Sequence, residues 1–421
     1  MVSHFGRKSQ CMKRFTRPLI PCTAATAGLA RHVRSKNGGG SGPGAMDGEA
    51  VWPRGGSNLK LLIQPHDGVA PLLAGIKSAK KSIDILIFRL DLKDLEVALK
   101  TASARGIAVR ALIAHTNRGG EPKLRNLETR FLEAGITVGR TADDLIRYHG
   151  KMMIVDRRTL FLLSFNFVHL DIDHSRGFGI VTRSAKVVQE AVKLFDADLN
   201  RRLYSAGNNA LVVSPANSRK QLTAFIKQAR KQLLIYDPKI ADKQIIHLLE
   251  DHAKAGLDIK IIGSIAARSA NLQVTPLTSM RLHTRTIIRD GSQAFVGSQS
   301  LRQAELDLRR EIGIIVRDVK VVKALQSTFE TDWVSTGFEE ARDAVKAGAP
   351  ETPAQTAKAT RALVKEMPAV QTTLKRAIKQ AVNRAGKDAL AHGDLKSTVK
   401  GAVKAAVKEA VNEMAQEEQA Q

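Results

Sequence analysis

The stretch HGKMMIVD, residues 149–156, and the stretch HTRTIIRD, residues 283–290, carry one pattern: a histidine, a cation two positions on, and an aspartate seven positions on. Each meets a small polar cluster at nearly the same distance, Ser164 and Asn166 after the first, Gly297, Ser298 and Ser300 after the second. One such run in a basic chain means little. Two in matching register point to a phosphate site assembled from two halves.

The surroundings repeat as well. Pro65, Lys81 and Gly106 recur as Pro215, Lys231 and Gly256, an offset of 150, while the histidines are 134 apart, so the second copy is the shorter before its motif. IKSAKKSIDILIF resembles FIKQARKQLLIYD, and ARGIAVRALI resembles KAGLDIKIIG. The repeated unit is domain-sized. Within the first copy LKLLIQP reads as a strand, Val69–Lys81 as a helix, Ile83–Phe88 as a buried strand, Leu95–Arg105 as a helix, Ile107–Ala114 as a strand and Leu124–Ala134 as a helix. A long amphipathic segment, Ala185–Leu203, closes that half, and the second runs similarly from Ala210 to about Gly337. The expected fold is α/β and duplicated: two sheet-and-helix halves, 59–207 and 208–337, around a central cleft.

In an extended strand, side chains alternate, so His149 and Lys151 share a side while Met152 and Ile154 face away; His283 and Arg285 behave alike. Asp290 and Gly291 signal a turn. Ser164 with Asn166, and Ser298 with Ser300, would share faces from which hydroxyls and an amide can donate to phosphate oxygens without adding charge.

The chain has 421 residues, ample for a large core, and a formal charge of +25. Residues 1–58 contribute +7 and residues 349–421 contribute +4, leaving +14 in the middle, so the excess is not a detachable arm. Such a field favours anionic partners, phospholipid surfaces or nucleic acid, without choosing between them. The two cysteines, Cys11 and Cys22, lie outside the repeat and indicate no disulfide framework. No P-loop or dinucleotide glycine fingerprint occurs, so neither ATP nor a nicotinamide is called for. His169 with His174, and His247 with His252, lack the spacing and third ligand of a zinc motif.

These motifs resemble those of the phospholipase D superfamily, whose signature HxKxxxxD is followed by a small Gly-Ser and Asn cluster and often occurs twice. The resemblance spans about residues 59–337. His149, Lys151, Asp156, Ser164 and Asn166 follow the pattern with Leu163 in place of glycine; His283, Asp290, Gly297 and Ser298 follow it with Arg285 for lysine and Ser300 for asparagine. Arg310 and Glu311 match the arginine-glutamate pair of that family, whereas Arg176 is followed by Gly177.

The resemblance implies phosphodiester cleavage or phosphatidyl transfer through a phosphohistidine, with His149 and His283 as nucleophile and acid in an unassigned order. Lys151 and Arg285 would clamp phosphate oxygens, Asp156 and Asp290 would belong to the catalytic motif chiefly as organisers, and Glu311 would support His283. Ser164, Asn166, Ser298 and Ser300 would bind phosphate, and Leu163 would narrow the first half of the pocket. No metal or cofactor is required. Two alternatives stand beside a lipid enzyme: a metal-independent nuclease of the same superfamily, and an impaired protein that binds phosphate or an anionic surface.

The flanks read differently. Residues 1–58 form a basic, glycine-rich leader, flexible from Asn37 to Ser57, whose apolar stretch Leu19–Ala30 is broken by Pro21, arguing against export. Residues 338–421 form an Ala/Lys-rich helical tail, with helices expected over Thr356–Lys365, Thr372–Arg384 and Leu395–Met414. No apolar run reaches the twenty or so residues that span a bilayer. The expected setting is cytoplasmic, with peripheral contact at an inner membrane surface, and no oligomer signal stands out.

Overall fold

The computed structural model describes residues 58–116, 120–207, 209–266 and 272–338. The glycine-rich leader, both cysteines and the helices expected in the tail lie outside these residues.

The first half runs β1 (Leu59–Gln64), α1 (Ala70–Ser78), β2 (Ser82–Ile87), α2 (Lys93–Ala104), β3 (Ala108–Ile113), α3 (Glu121–Glu133), β4 (Thr137–Arg140), β5 (Arg147–Tyr148), β6 (Met152–Val155), β7 (Thr159–Leu163), α4 (His169–Asp173), β8 (Ser175–Thr182) and α5 (Ala185–Leu199). The second runs β9 (Val212–Val213), α6 (Ser218–Lys227), β10 (Gln232–Ile240), α7 (Lys243–Lys254), β11 (Asp258–Ile265), β12 (Gln273–Thr275), β13 (Arg281–Leu282), β14 (Arg285–Arg289), β15 (Gln293–Gly297), α8 (Gln303–Asp307), β16 (Arg309–Arg310), β17 (Ile312–Val316) and α9 (Val319–Ser335).

The sheets repeat one topology. The first is ordered β1-β8-β7-β6-β2-β3-β4 and the second β9-β17-β15-β14-β10-β11-β12. In each, three strands run parallel, β2-β3-β4 through α2 and α3 and β10-β11 through α7 with β12 beside β11, and the motif hairpin joins them antiparallel, β6 on β2 and β14 on β10. The expected helices and strands of the first half fall within about a turn of those observed.

Alternation along the strands explains the layers. Ile83, Ile85, Met153 and Val155 face outward and pack with Leu72 and Ile76 of α1, Leu95 of α2 and Phe131 of α3. Leu86, Met152, Ile154 and Leu162 face inward and meet Leu234, Tyr236, Ile288 and Ile314 of the other sheet, together with residues of α5 and α9. Beyond the second sheet, α6 and α7 close a third core through Leu222, Phe225, Ile245 and Leu249. The central core is therefore shared, and burying it requires both halves.

Two short parallel pairings cross between the halves. β5 pairs with β16 through Arg147 and Tyr148, and β13 pairs with β8 through Arg281 and Leu282. Both lie immediately before a motif histidine.

Candidate active site

Each crossing fixes a histidine of one half on the backbone of the other. The Arg310 carbonyl accepts the N–H groups of His149 and Gly150 at 2.8 and 3.1 Å, and the Arg176 carbonyl accepts those of His283 and Thr284 at 3.1 and 3.0 Å. The same two arginines grip the opposite half with their side chains. Arg310 reaches Asp198 of α5 with Nε and Nη2 at 3.1 and 3.0 Å, while Arg176 reaches Asp332 of α9 at 2.7 and 2.8 Å. A third donor on each completes the likeness: Arg310 Nη1 binds the Ser214 carbonyl and Arg176 Nη1 the Gln64 carbonyl.

His149 is held at both ring nitrogens. Nδ1 lies 3.0 Å from Glu311 Oε2, and Nε2 lies 2.9 Å from Lys151 Nζ. Phe88 packs edge-on against the imidazole, with centroids 4.6 Å apart. Glu311 therefore supports His149 across the halves and not His283, correcting the expectation from chain order. Residues 149–151 precede β6, yet the two polar groups do share a side as strand parity implies.

His283 has a different neighbour, Asp171 of α4, whose Oδ2 stands 3.5 Å from Nδ1, an ion-pair distance too long for a good hydrogen bond. Asp171 is fixed by the backbone and side-chain amides of Asn166, both at 2.7 Å, and by Arg281 at 2.7 Å. Its counterpart at the repeat offset is Glu305, which accepts from the Ser300 amide as Asp171 accepts from Asn166. That shared acid was a signal available in the sequence.

The remaining candidates divide between the histidine cluster and its frame. Arg285 Nη1 donates to the His283 carbonyl at 2.7 Å, and its Nε lies 3.4 Å from Ser300 Oγ, which donates to Asp237 at 2.7 Å. Ser164 Oγ accepts from Phe178 N and Ser298 Oγ from Ile312 N. Asn166 donates to Asp171. These four polar residues, expected to bind phosphate, are engaged with the protein and brace the groups around the two histidines.

Asp156 and Asp290 lie at the far ends of their strands. Asp156 takes the backbone amides of Lys80, Lys81 and Ser82, and Asp290 those of Arg230, Lys231 and Gln232. Their φ angles of 54° and 52° place both in left-handed turns. They tie each motif hairpin to the preceding helix-to-strand connection, so their grouping with catalytic residues gives way to a structural role. Leu163 is also corrected: it points into the outer core beside Gly179, not towards the histidines.

Burial governs the charges. His149 and His283 are each 6% exposed. Burial, then Lys151 and Arg285, holds His149 well below the usual imidazole range. Burial likewise lowers His283 against the pull of Asp171, with Arg281, Arg285 and Lys151 adding to the depression. Each half's cation thus acts on the other half's histidine. Burial lowers Lys151 and raises Glu311. Burial alone would raise Asp171, but His283, Arg281 and the Asn166 hydrogen bonds bring it to about 2. Among the described residues no group of three or more metal-ligating side chains occurs.

No curated protein matches the chain. Among solved structures, polyphosphate kinase from Porphyromonas gingivalis shares 21% identity at a TM-score of 0.56, covering 65% of this chain and 50% of its own; the chain thus spans half the length of that kinase. Phosphatidylserine synthase from Haemophilus influenzae Rd KW20 shares 11% identity at a TM-score of 0.49, covering 65% of this chain and 86% of its own. The phospholipase D family member Nuc from Salmonella typhimurium shares 23% identity at a TM-score of 0.31, covering 34% and 93%. The kinase likeness is one of fold. The family model described as cardiolipin synthase, PLD-like domain matches residues 72–199 and 222–333, one segment in each half and more than half of the chain together. With a motif histidine inside each matched segment and the two halves repeating one topology, the chain belongs to the phospholipase D superfamily.

Proposed function

We propose that the chain is a phosphodiesterase or phosphatidyltransferase acting on phospholipid through a phosphohistidine on His149. The observation that carries this reading is the pair of contacts on one imidazole. A proton on Nδ1, donated to Glu311, leaves the lone pair on Nε2, and Nε2 is the nitrogen facing Lys151. An entering phosphodiester offers Lys151 a nonbridging oxygen, which frees Nε2 for attack. Arg285 holds the charge from the other side.

The N–P bond forms as the P–O bond to the leaving alcohol breaks, and His283 gives that oxygen its proton. Neutral His283 then takes a proton from water or a second alcohol, whose oxygen attacks phosphorus as the N–P bond breaks. Burial disfavours the imidazolium of His283, but a bound phosphate adds negative charge that favours it, and Asp171 stands beside Nδ1. Glu311 and Asp171 are positioning residues in this scheme.

A phospholipid substrate is supported by the family match. The test is an assay of purified full-length protein on phospholipid, DNA, RNA and a simple phosphodiester, with chelator present, beside His149→Ala and His283→Ala. Turnover on phospholipid, lost in both variants by a factor of about 10²–10⁴ or more, is the expected result. Turnover confined to nucleic acid would replace the lipid reading with a nuclease. No turnover on any substrate, with phosphate binding retained, would replace both with a binding protein.

A further inference from the structure

We propose that the chain carries a separate binding site for a phosphate-bearing ligand, in a cavity of about 500 Å³ between the first turn of α5, in the first half, and helix α6, in the second. Lys186, Arg289 and Arg317 line it, with Gln221, Gln228 and Gln293 between them. Its volume lies within the range of small-molecule sites. Arg289 sits at the opposite end of β14 from Arg285, about 13 Å along the strand, so this cavity is distinct from the histidine cleft.

The charge pattern carries the inference. Arg289 is 6% exposed, and its guanidinium stacks 4.4 Å from the Phe225 ring centroid. Nη1 donates to the Phe225 carbonyl and to Gln228 Oε1 at 2.9 and 3.1 Å. Those bonds cap the end of α6 and account for one nitrogen. Neither Nε nor Nη2 has an acceptor among the described residues; Asp290, next in the chain, acts on Arg289 but is engaged by the backbone amides of Arg230, Lys231 and Gln232, and no described carboxylate pairs with Lys186, Arg289 or Arg317. Three cations around one concavity repel each other, and a bound polyanion reverses that cost.

The fold does not demand this arrangement. At the repeat offset the counterpart of Arg289 is Val155, which lies in the outer core at the same strand end. The second half therefore replaces an apolar residue by a buried cation where a cavity opens. A phosphate group, with oxygens for a guanidinium fork and a lysine, fits that chemistry.

Binding of pyrophosphate to the full chain by titration calorimetry, and co-sedimentation with phosphatidylglycerol against phosphatidylcholine vesicles, test the proposal without requiring turnover. Lys186→Ala/Arg317→Ala, both exposed, should weaken binding tenfold or more while Lys77→Ala/Lys123→Ala, equal in charge, does not. Arg289→Val, which installs the residue of the first half, should act alike if it folds. Loss confined to pyrophosphate assigns a soluble phosphate ligand, and loss confined to phosphatidylglycerol assigns a lipid headgroup. The proposal is overturned if wild type binds neither probe, if Lys186→Ala/Arg317→Ala binds as wild type, or if the control pair weakens binding equally.

Discussion

Replacing Asp332 by alanine should destabilise the protein by about 3–5 kcal/mol, the usual cost of stripping one partner from a buried ion pair. Asp332 is 3% exposed and satisfies three donors, Arg176 Nε and Nη2 at 2.7 and 2.8 Å and Tyr236 Oη at 2.7 Å. Alanine leaves a guanidinium buried with only the Gln64 carbonyl for company. Since domains are stable by about 5–15 kcal/mol in all, the loss is a large share. Urea unfolding of full-length protein at pH 7 would measure it as a lower midpoint at unchanged slope.

The pair Arg176→Leu/Asp332→Leu separates mechanism from damage. With no orphan charge left, much of the loss should return, because a buried pair is weakly stabilising relative to apolar residues of similar volume. The His283 N–H rests on the Arg176 carbonyl, so both variants should also slow any turnover that depends on His283. A loss below about 1 kcal/mol in Asp332→Ala, or a double variant as unstable as the single one, would refute the account of this clamp.

Leu163→Gly, attractive on the family pattern, should give no gain in turnover and cost at least the roughly 2–5 kcal/mol of a buried leucine truncation, because its side chain fills space over Gly179 in the outer core; higher activity at unchanged stability would sink this. Asp156→Asn and Asp290→Asn should lower the urea midpoint yet leave turnover per folded molecule near wild type, since each carboxylate serves three backbone amides away from the cleft. An unfolded histidine titrates near pH 6.5, so the depressed His149 and His283 make stability fall as pH drops through about 6.5 towards their lower folded values. His149→Gln/His283→Gln should therefore lose less stability between pH 7 and 5 than wild type, and equal losses would contradict the burial argument.

The parts legible in the sequence were those that repeat locally. Period-two alternation and the offset of 134 give the sheets, the paired histidines and their cations, because strand parity and motif spacing are properties of neighbouring residues. Which carboxylate reaches which imidazole is not. Glu311 follows Arg310 in the second half yet meets His149, because β16 crosses to pair with β5. Asp171 lies between the motifs on a one-turn helix; the repeat pairs it with Glu305, but nothing in its own neighbourhood marks its approach to His283. Leu163 departs from its expected place because a departure from a motif need not fall in the pocket. Its strand alternation, shared with Phe161, turns it outward.

The asymmetry of the two acids follows from a single exchange in packing. At the repeat offset, Gly177 corresponds to Glu311 and Phe165 to Gln299. A Cβ at Gly177 would lie 2.9 Å from Phe165 Cδ1, so the phenyl ring occupies the path a side chain there would take. In the second half Gln299 turns its amide to the Val212 carbonyl, and Glu311 has room to reach His149. The first half fills that space with ring, forgoes a carboxylate at the position, and supports His283 from Asp171 at 3.5 Å instead of 3.0 Å. In the proposed scheme the closer carboxylate would hold one tautomer on His149, as a nucleophile needs, and the looser one would leave His283 free to exchange its proton, as an acid needs. The division of labour we propose between two histidines of identical motif position thus traces to one phenylalanine and one glycine outside either motif.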